Sequence, residues 1–504
     1  MVSSKHSGKE LRRLARSVLQ PGFVGTEAPD WLLREIGDGL ASVVLFSRNI
    51  VTPRQVARLT GQLRAANPEL IIAIDEEAGD VTRIESATGS TRPGNFALGT
   101  VDDTELTEAV AADLGRQLHT AGVSLDYAPS ADVNSNPDNP IIGVRSFGVD
   151  AKVVARHTGA WIRGLQSAGV AACAKHFPGH GDVAVDSHHG LPVYEADRAR
   201  IAEQALPPFR AAIDAGVRAV MTGHLLVPAY DPELPATLSH RVLHELLRQE
   251  LGFDGMVVTD AIEMGAVAGR YGIGGATVRA VAAGADAVCV GGENAQEATA
   301  VLLVDALVDA VGSGELPEER LAEASLRVRE FATWSAGLSP AGVAAWDAAG
   351  IGFAAARRAI RLTGAVRHVL PLVTAPHVVE LAPTTNLAIG RETPWGVAAP
   401  LGERLPGTTS ARVRHEDLRT GDTALETQAL APASGRPLVV VVRDAARHPW
   451  MARALTELVT ARPDAIVVEM GLPGTVVPSA AQIFTHGATA ASGIAAAEVL
   501  AGAL

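Results

Sequence analysis

Cysteine is nearly missing from this chain: Cys173 and Cys289 are the only two in 504 residues. Both lie in apolar runs, AACAKH and DAVCVG, and read as small buried hydrophobes, not as a disulfide or a metal pair. A run of about 18 apolar residues is also missing, so no membrane-crossing helix is expected. The first residues, MVSSKHSGKELRRLARSVL, are basic but have no apolar stretch before a small-residue cleavage site. No secretory signal is read there, and a cytoplasmic location is expected. Net charge is −13 and the isoelectric point is near 5.6. Nucleic acids and anionic membranes require a basic footprint, so neither is expected as a partner. No G-x-G-x-x-G follows an early strand, which removes the dinucleotide fingerprint, and no H-E-x-x-H is present.

What is there is a globular composition, 47% hydrophobic and 20% charged. The length exceeds one ordinary core and predicts two domains. Fifty glycines and 29 prolines are spread along the chain and mark many tight turns. Short apolar runs recur at 16–25, 41–46, 70–75, 123–129, 170–176, 219–224, 255–260 and 286–291. Helix-like segments separate them at 53–66, 103–121, 151–168, 198–215, 240–251 and 275–283. Continuous apolar strands alternating with helices imply a parallel sheet covered on both faces. Eight such units fit a closed (β/α)₈ TIM barrel better than an open doubly wound sheet. Beyond it, 318–334 reads as a helix on the barrel. An alanine-rich connector follows, with a helix at 352–361. Strands are predicted at 368–373, 378–382, 438–444 and 465–470. The fold class is therefore α/β: a barrel over 1–335, a connector over 336–364 and a smaller α/β sandwich domain over 365–504.

The polar residues cluster where the apolar runs end: Asp75, Asp126, Lys175 with His176, His224 and Asp260. Strand carboxyl ends share one rim in a barrel, and active sites sit there. The loop at 175–192 packs Lys175, His176, His180, Asp182, Asp186, His188 and His189 into 15 positions. Histidine moves protons near neutral pH. Asp186 and His188 are two apart, so the carboxylate can orient the imidazole as triads do. Four histidines and two aspartates also suffice for a metal site, although Lys175 opposes a cation. Asp260 ends a strand before a glycine-containing turn. It reads either as a nucleophile for an anomeric carbon or as the N-cap of the next helix. Glu263 reads as pointing away from the rim. Asp75 can accept hydrogen bonds from sugar hydroxyls. Arg145, in the Asn/Pro-rich loop 132–148, can fork to hydroxyls or an acyl oxygen.

Together these segments resemble the bacterial β-N-acetylglucosaminidases of glycoside hydrolase family 3. The motifs are D-x-E-x-G-x-V-x-R at 75–83, D-V-N-x-N-P-x-N-P-x-I-G-x-R-S-F-G at 132–148, K-H-F-P-G-H-G-D at 175–182, D-S-H at 186–188 and T-D-x-x-x-M-G-A at 259–266. The resemblance covers residues 15–330 strongly and the second domain weakly. It implies a retaining exo-β-N-acetylglucosaminidase with Asp260 as nucleophile and His188, assisted by Asp186, as acid/base. It implies that Asp75, Arg83, Arg145, Lys175, His176, His180 and His224 contact the sugar. The implied substrate is an oligosaccharide ending in N-acetylglucosamine, with no metal or organic cofactor. Imidazole does not repel an anionic acceptor as a carboxylate does, so phosphorolysis with inorganic phosphate is the alternative reading. A metal-dependent hydrolase and a non-catalytic sugar-binding protein are further alternatives. Two positions depart from the family's D-x-E-G-G-R: Ala78 replaces the first glycine and Asp80 the arginine.

Overall fold

The computed structural model describes residues 6–187, 190–340, 350–384, 389–390, 393–419, 423–474 and 477–503. By compactness the chain divides into two units. The first comprises residues 1–77, 107–142 and 148–346; the second comprises 78–106, 143–147 and 347–504. Two stretches of the expected barrel range, 78–106 and 143–147, thus group with the second unit.

The first unit carries eight parallel strands. They are β1 (Leu19–Pro21), β2 (Ser42–Leu45), β3 (Ile71–Ile74), β4 (Leu125–Asp126), β5 (Ala171–Phe177), β6 (Ala219–Thr222), β7 (Met256–Thr259) and β8 (Val288–Val290). Strands β2 to β7 form one sheet in sequence order, and β8 pairs with β1. Backbone bonds join β7 to the start of β8: Ala287 N–H to Val257 O and Thr259 N–H to Ala287 O, both 3.0 Å. The Ser42 hydroxyl reaches the Leu19 carbonyl at 3.0 Å, beside β1. The predicted barrel is what forms.

Every second strand residue enters one core. Ile71 and Ala73, Leu125 and Tyr127, Ala171 and Cys173, Ala219 and Met221, Met256 and Val258, and Ala287 and Cys289 pack together. This two-residue period, with the other face covered by helices, is why the runs are apolar throughout. Both cysteines are free and buried in it, as expected. Helix Glu318–Ala336 adds Val328, Phe331 and Ala332 to the same core. Trp334 of that helix lies under the Arg218 guanidinium at 5.3 Å, just before β6, so the helix closes the amino-terminal mouth.

Two helix expectations change. The segment 198–215 is two helices, Arg198–Gln204 and Pro207–Asp214, because Pro207 and Pro208 can begin a helix but not continue one. The helix expected at 275–283 begins at Gly265 and is interrupted at Gly272 (φ 66°).

In the second unit, β9 (Arg361–Gly364), β10 (His377–Ala382), β11 (Thr409–Arg414), β12 (Leu438–Val442), β13 (Ile466–Glu469) and β14 (Ala481–Phe484) form one sheet. Its order is β9-β14-β13-β12-β10-β11. Only the β9–β14 pairing is antiparallel. Apolar clusters on both faces make it a sandwich. The strand expected at 368–373 is instead a short helix, Val366–Val369, followed by Pro371, which has no amide for a ladder. Strands β9, β11 and β14 escaped the sequence reading. The first two are edge strands, largely exposed, so their residues lack a continuous apolar signature.

Candidate active site

The carboxyl ends of the barrel strands deliver the polar residues that the sequence marked. Asp75 follows β3, Asp126 ends β4, Lys175 and His176 lie on β5, and Asp260 follows β7. Lys175 is buried, with 2% of its side chain exposed, between the carboxylates of Asp75 and Glu77. The Glu77 contact is 2.6 Å. A buried ammonium is tolerated only when paired, and Glu77, at 3% exposure, supplies the inner partner. Asp75 keeps 25% of its side chain exposed. Glu77 was missed as a site residue. Its signal was the i, i+2 spacing from Asp75.

Asp132 organises the next layer. It is fully buried and accepts from Ser130 Oγ at 3.0 Å, from the His180 backbone N–H at 2.7 Å and from His176 Nδ1 at 2.7 Å. Burial alone would raise its carboxyl, but the charge and hydrogen bond of His176, with the backbone hydrogen bond from His180, hold it below the usual range. Donation from Nδ1 to Asp132 makes Nε2 the outward nitrogen of His176. Asp132 was visible only as the start of a loop motif.

His180 is held by its backbone at both ends. Asp132 takes its N–H, and Asn139 Nδ2 donates to its carbonyl at 2.8 Å. Its ring is 2% exposed and neither ring nitrogen has a hydrogen-bond partner among the described residues. Burial, with the adjacent His176, pushes its pKa down to about 4, so the ring is neutral near pH 7. The charge of Asp260 reaches it. Asp126, beneath this layer, accepts the Glu76 N–H at 2.9 Å, and burial pushes its carboxyl well up.

Asp260 is not a helix cap. The next helix starts at Gly265, with Met264 at the N-cap position. The Asp260 carboxylate instead accepts the N–H of Ala261 at 2.7 Å, and its own N–H goes to Thr222 O at 3.2 Å. His224, expected to touch sugar, has both ring nitrogens engaged by protein. Nδ1 meets Thr237 Oγ1 at 2.8 Å and Nε2 meets Ala261 O at 3.0 Å. It therefore holds the turn that carries Asp260. Glu263 also ties this turn down. Its Oε1 accepts the N–H groups of Gly291 at 2.8 Å and Gly292 at 2.5 Å, just after β8.

The loop leaving β5 reaches the same turn: the Ser187 carbonyl accepts the Ala266 N–H at 3.2 Å. Asp186 directly precedes Ser187, and the Asp186 carbonyl accepts from Gly190 N–H at 3.1 Å. His188 and His189 lie outside the described residues. Arg83 and Arg145 are buried and belong to the second unit. Among the described residues, no group of three or more His, Cys, Asp or Glu side chains is arranged to hold a metal ion.

A carboxylate, a buried lysine and oriented imidazoles gather at the barrel's carboxyl rim, where barrel enzymes carry their active sites. Comparison with known proteins fixes its class. Residues 27–331 match the model of the glycosyl hydrolase family 3 N-terminal domain. The chain is similar to β-hexosaminidase A of Pseudoalteromonas piscicida, at 34% identity over 58% of this chain and 53% of that protein. It therefore spans about half the length of that relative. It is also similar to β-hexosaminidase LpqI of Mycobacterium tuberculosis, at 38% identity over 51% of this chain and 67% of that one. A solved family 3 β-N-acetylglucosaminidase from Paenibacillus sp. str. FPU-7 superimposes with a TM-score of 0.85 at 34% identity, covering 98% of this chain and 96% of that one. The chain belongs to glycosyl hydrolase family 3 and is a glycoside hydrolase.

Proposed function

We propose that the protein is a retaining exo-β-N-acetylglucosaminidase that removes terminal N-acetylglucosamine from oligosaccharides. In this reading Asp260 attacks the anomeric carbon and forms a glycosyl-enzyme, and His188, oriented by Asp186, protonates the leaving oxygen. Asp75, Lys175, His176 and His180 bind the sugar ring, with Arg83 and Arg145 as further contacts. The observation that carries the reading is the state of Asp260. It ends a barrel strand at the rim, caps no helix, and is braced through Ala261 by His224. The unsatisfied, neutral ring of His180 supports a ligand contact as well, because buried polar groups are otherwise paired.

Retaining glycosidases place two carboxyl groups roughly 5–5.5 Å apart. With an imidazole in the acid's place, the D-S-H loop sets the spacing, and its tie to Ala266 keeps that loop beside the nucleophile's turn. The Lys175 ammonium pairs with both Asp75 and Glu77 in this site.

Asp260→Ala is expected to lower kcat on an aryl N-acetyl-β-glucosaminide by about 10³-fold or more without changing the melting curve. Wild-type activity in that variant would remove Asp260 from the role. Nuclear magnetic resonance of the first product gives the stereochemistry: the β-anomer supports retention, and the α-anomer overturns it. The same incubation with inorganic phosphate separates hydrolysis from phosphorolysis, since only the latter yields the sugar 1-phosphate.

A further inference from the structure

The second unit raises a question that the barrel chemistry leaves open, because its own carboxyl-end crevice is already filled. Its parallel strands run β11-β10-β12-β13-β14, so the first in sequence lies between the second and third. Folds of this order bind ligands at the switch point, outside the strand carboxyl ends. Arg443 immediately follows β12 at that end, and it is 4% exposed. Its guanidinium donates to the Asp80 carboxylate at 2.6 Å. The other Asp80 oxygen accepts the Ala488 N–H at 2.8 Å, two residues before helix Ala490–Ala501. An anion held by an arginine and by an amide next to a helix start is how such folds hold a ligand. Here the anion is a side chain of the same chain.

The grip extends along the segment. Ala491 N–H donates to Ser90 O at 3.1 Å, and Arg361 donates to Thr100 O at 2.8 Å. Arg358 pairs with Asp103 at 2.9 Å, and Phe96 stacks on His486 at 5.9 Å. Two glycines permit the approach. A Cβ at Gly487 would stand 2.6 Å from Pro93 O, and one at Gly352 would stand 2.2 Å from Thr91 O. The segment 143–147 is held through this one: Asn95 donates to Arg145 O at 2.7 Å, and Gly99 lies against the Phe147 carbonyl.

We infer that residues 350–503 of the second unit frame its segment 78–103, pinned by the Asp80–Arg443 ion pair, and that they act through this segment as a positioning device for Arg83 and Arg145. The inference rests on the proposed role of those two arginines as sugar contacts. It assigns the second unit a task without a catalytic group of its own. Asp80 and Arg443 are positioning residues, so breaking the pin changes substrate binding more than the chemical step.

The test uses the full chain with Arg443→Met, Asp80→Asn and the conservative Arg443→Lys. Arg443→Met is expected to speed amide exchange across 78–93 by about tenfold or more. It is also expected to raise KM severalfold while kcat stays within about twofold. Arg443→Lys should recover part of both effects. Asp80→Asn keeps the acceptor for Ala488, so it carries the same test if Arg443→Met does not fold. Unchanged exchange over 78–93 in the folded variants overturns the pin. Faster exchange with unchanged KM overturns its link to the arginines. Exchange is read without substrate, so absence of turnover in the wild type would refute the proposed function and leave the pin standing.

Discussion

At the scale of single residues, Ala78 shows how a motif position reveals backbone conformation. Its φ is 56°, in the left-handed region where a Cβ is costly. The family motif places glycine there, and this chain carries the extra methyl. Ala78→Gly is therefore expected to stabilise the protein by about 1 kcal/mol, seen as a higher melting temperature. A lower melting temperature would mean that the Ala78 methyl contributes more packing than strain. Lys175 makes the opposite case. Lys175→Met would remove the buried cation that lies 2.6 Å from Glu77, a loss of about 3–5 kcal/mol in denaturant titration as well as a loss of activity. Asp75, Lys175 and Asp260 were legible in sequence because each interrupts an apolar run at its end. Asp132 and Glu77 were not, because their roles depend on side chains that meet only after the barrel closes.

At the scale of elements, apolar runs with two covered faces located all eight barrel strands, while the exposed edge strands β9 and β11 gave no such signal. The start of β8 depends on one buried carboxylate. Asp286 accepts from Arg248 at 2.5 Å, from Arg320 at 2.7 Å and from the Val257 N–H at 2.9 Å. Arg248 also donates to Gly255 O at 2.6 Å, so the cluster fixes where β7 and β8 begin. Asp286→Ala removes the buried carboxylate that two guanidinium groups share, although Arg320 keeps its pair with Glu323, and is expected to cost about 3–5 kcal/mol in urea unfolding. A change under about 1 kcal/mol would show that the arginines find other partners.

At the scale of the whole molecule, each unit contains a histidine buried in the neutral state. Burial lowers both His180 and His486 to about 4. The unfolded imidazole titrates near 6.5, so between these values the unfolded chain binds more protons. Stability is thus fully present above about pH 6.5 and falls as pH drops toward 4, by up to about 3 kcal/mol for each histidine. Melting temperatures measured across that window should decline. His486→Asn, which suits the residue's φ of 62°, should flatten the decline for its own unit.

The sequence by itself determined the barrel, the rim positions of its polar residues and the family, because periodicity, strand ends and motif spacing are properties of the chain in order. It also marked Asp80 as a departure. Only the tertiary structure decided what Asp80 meets, that His224 serves a backbone carbonyl, that Asp260 caps nothing, and that 78–106 and 143–147 group with the second unit. Those outcomes depend on which distant groups are brought within hydrogen-bond reach, and that proximity is created by packing.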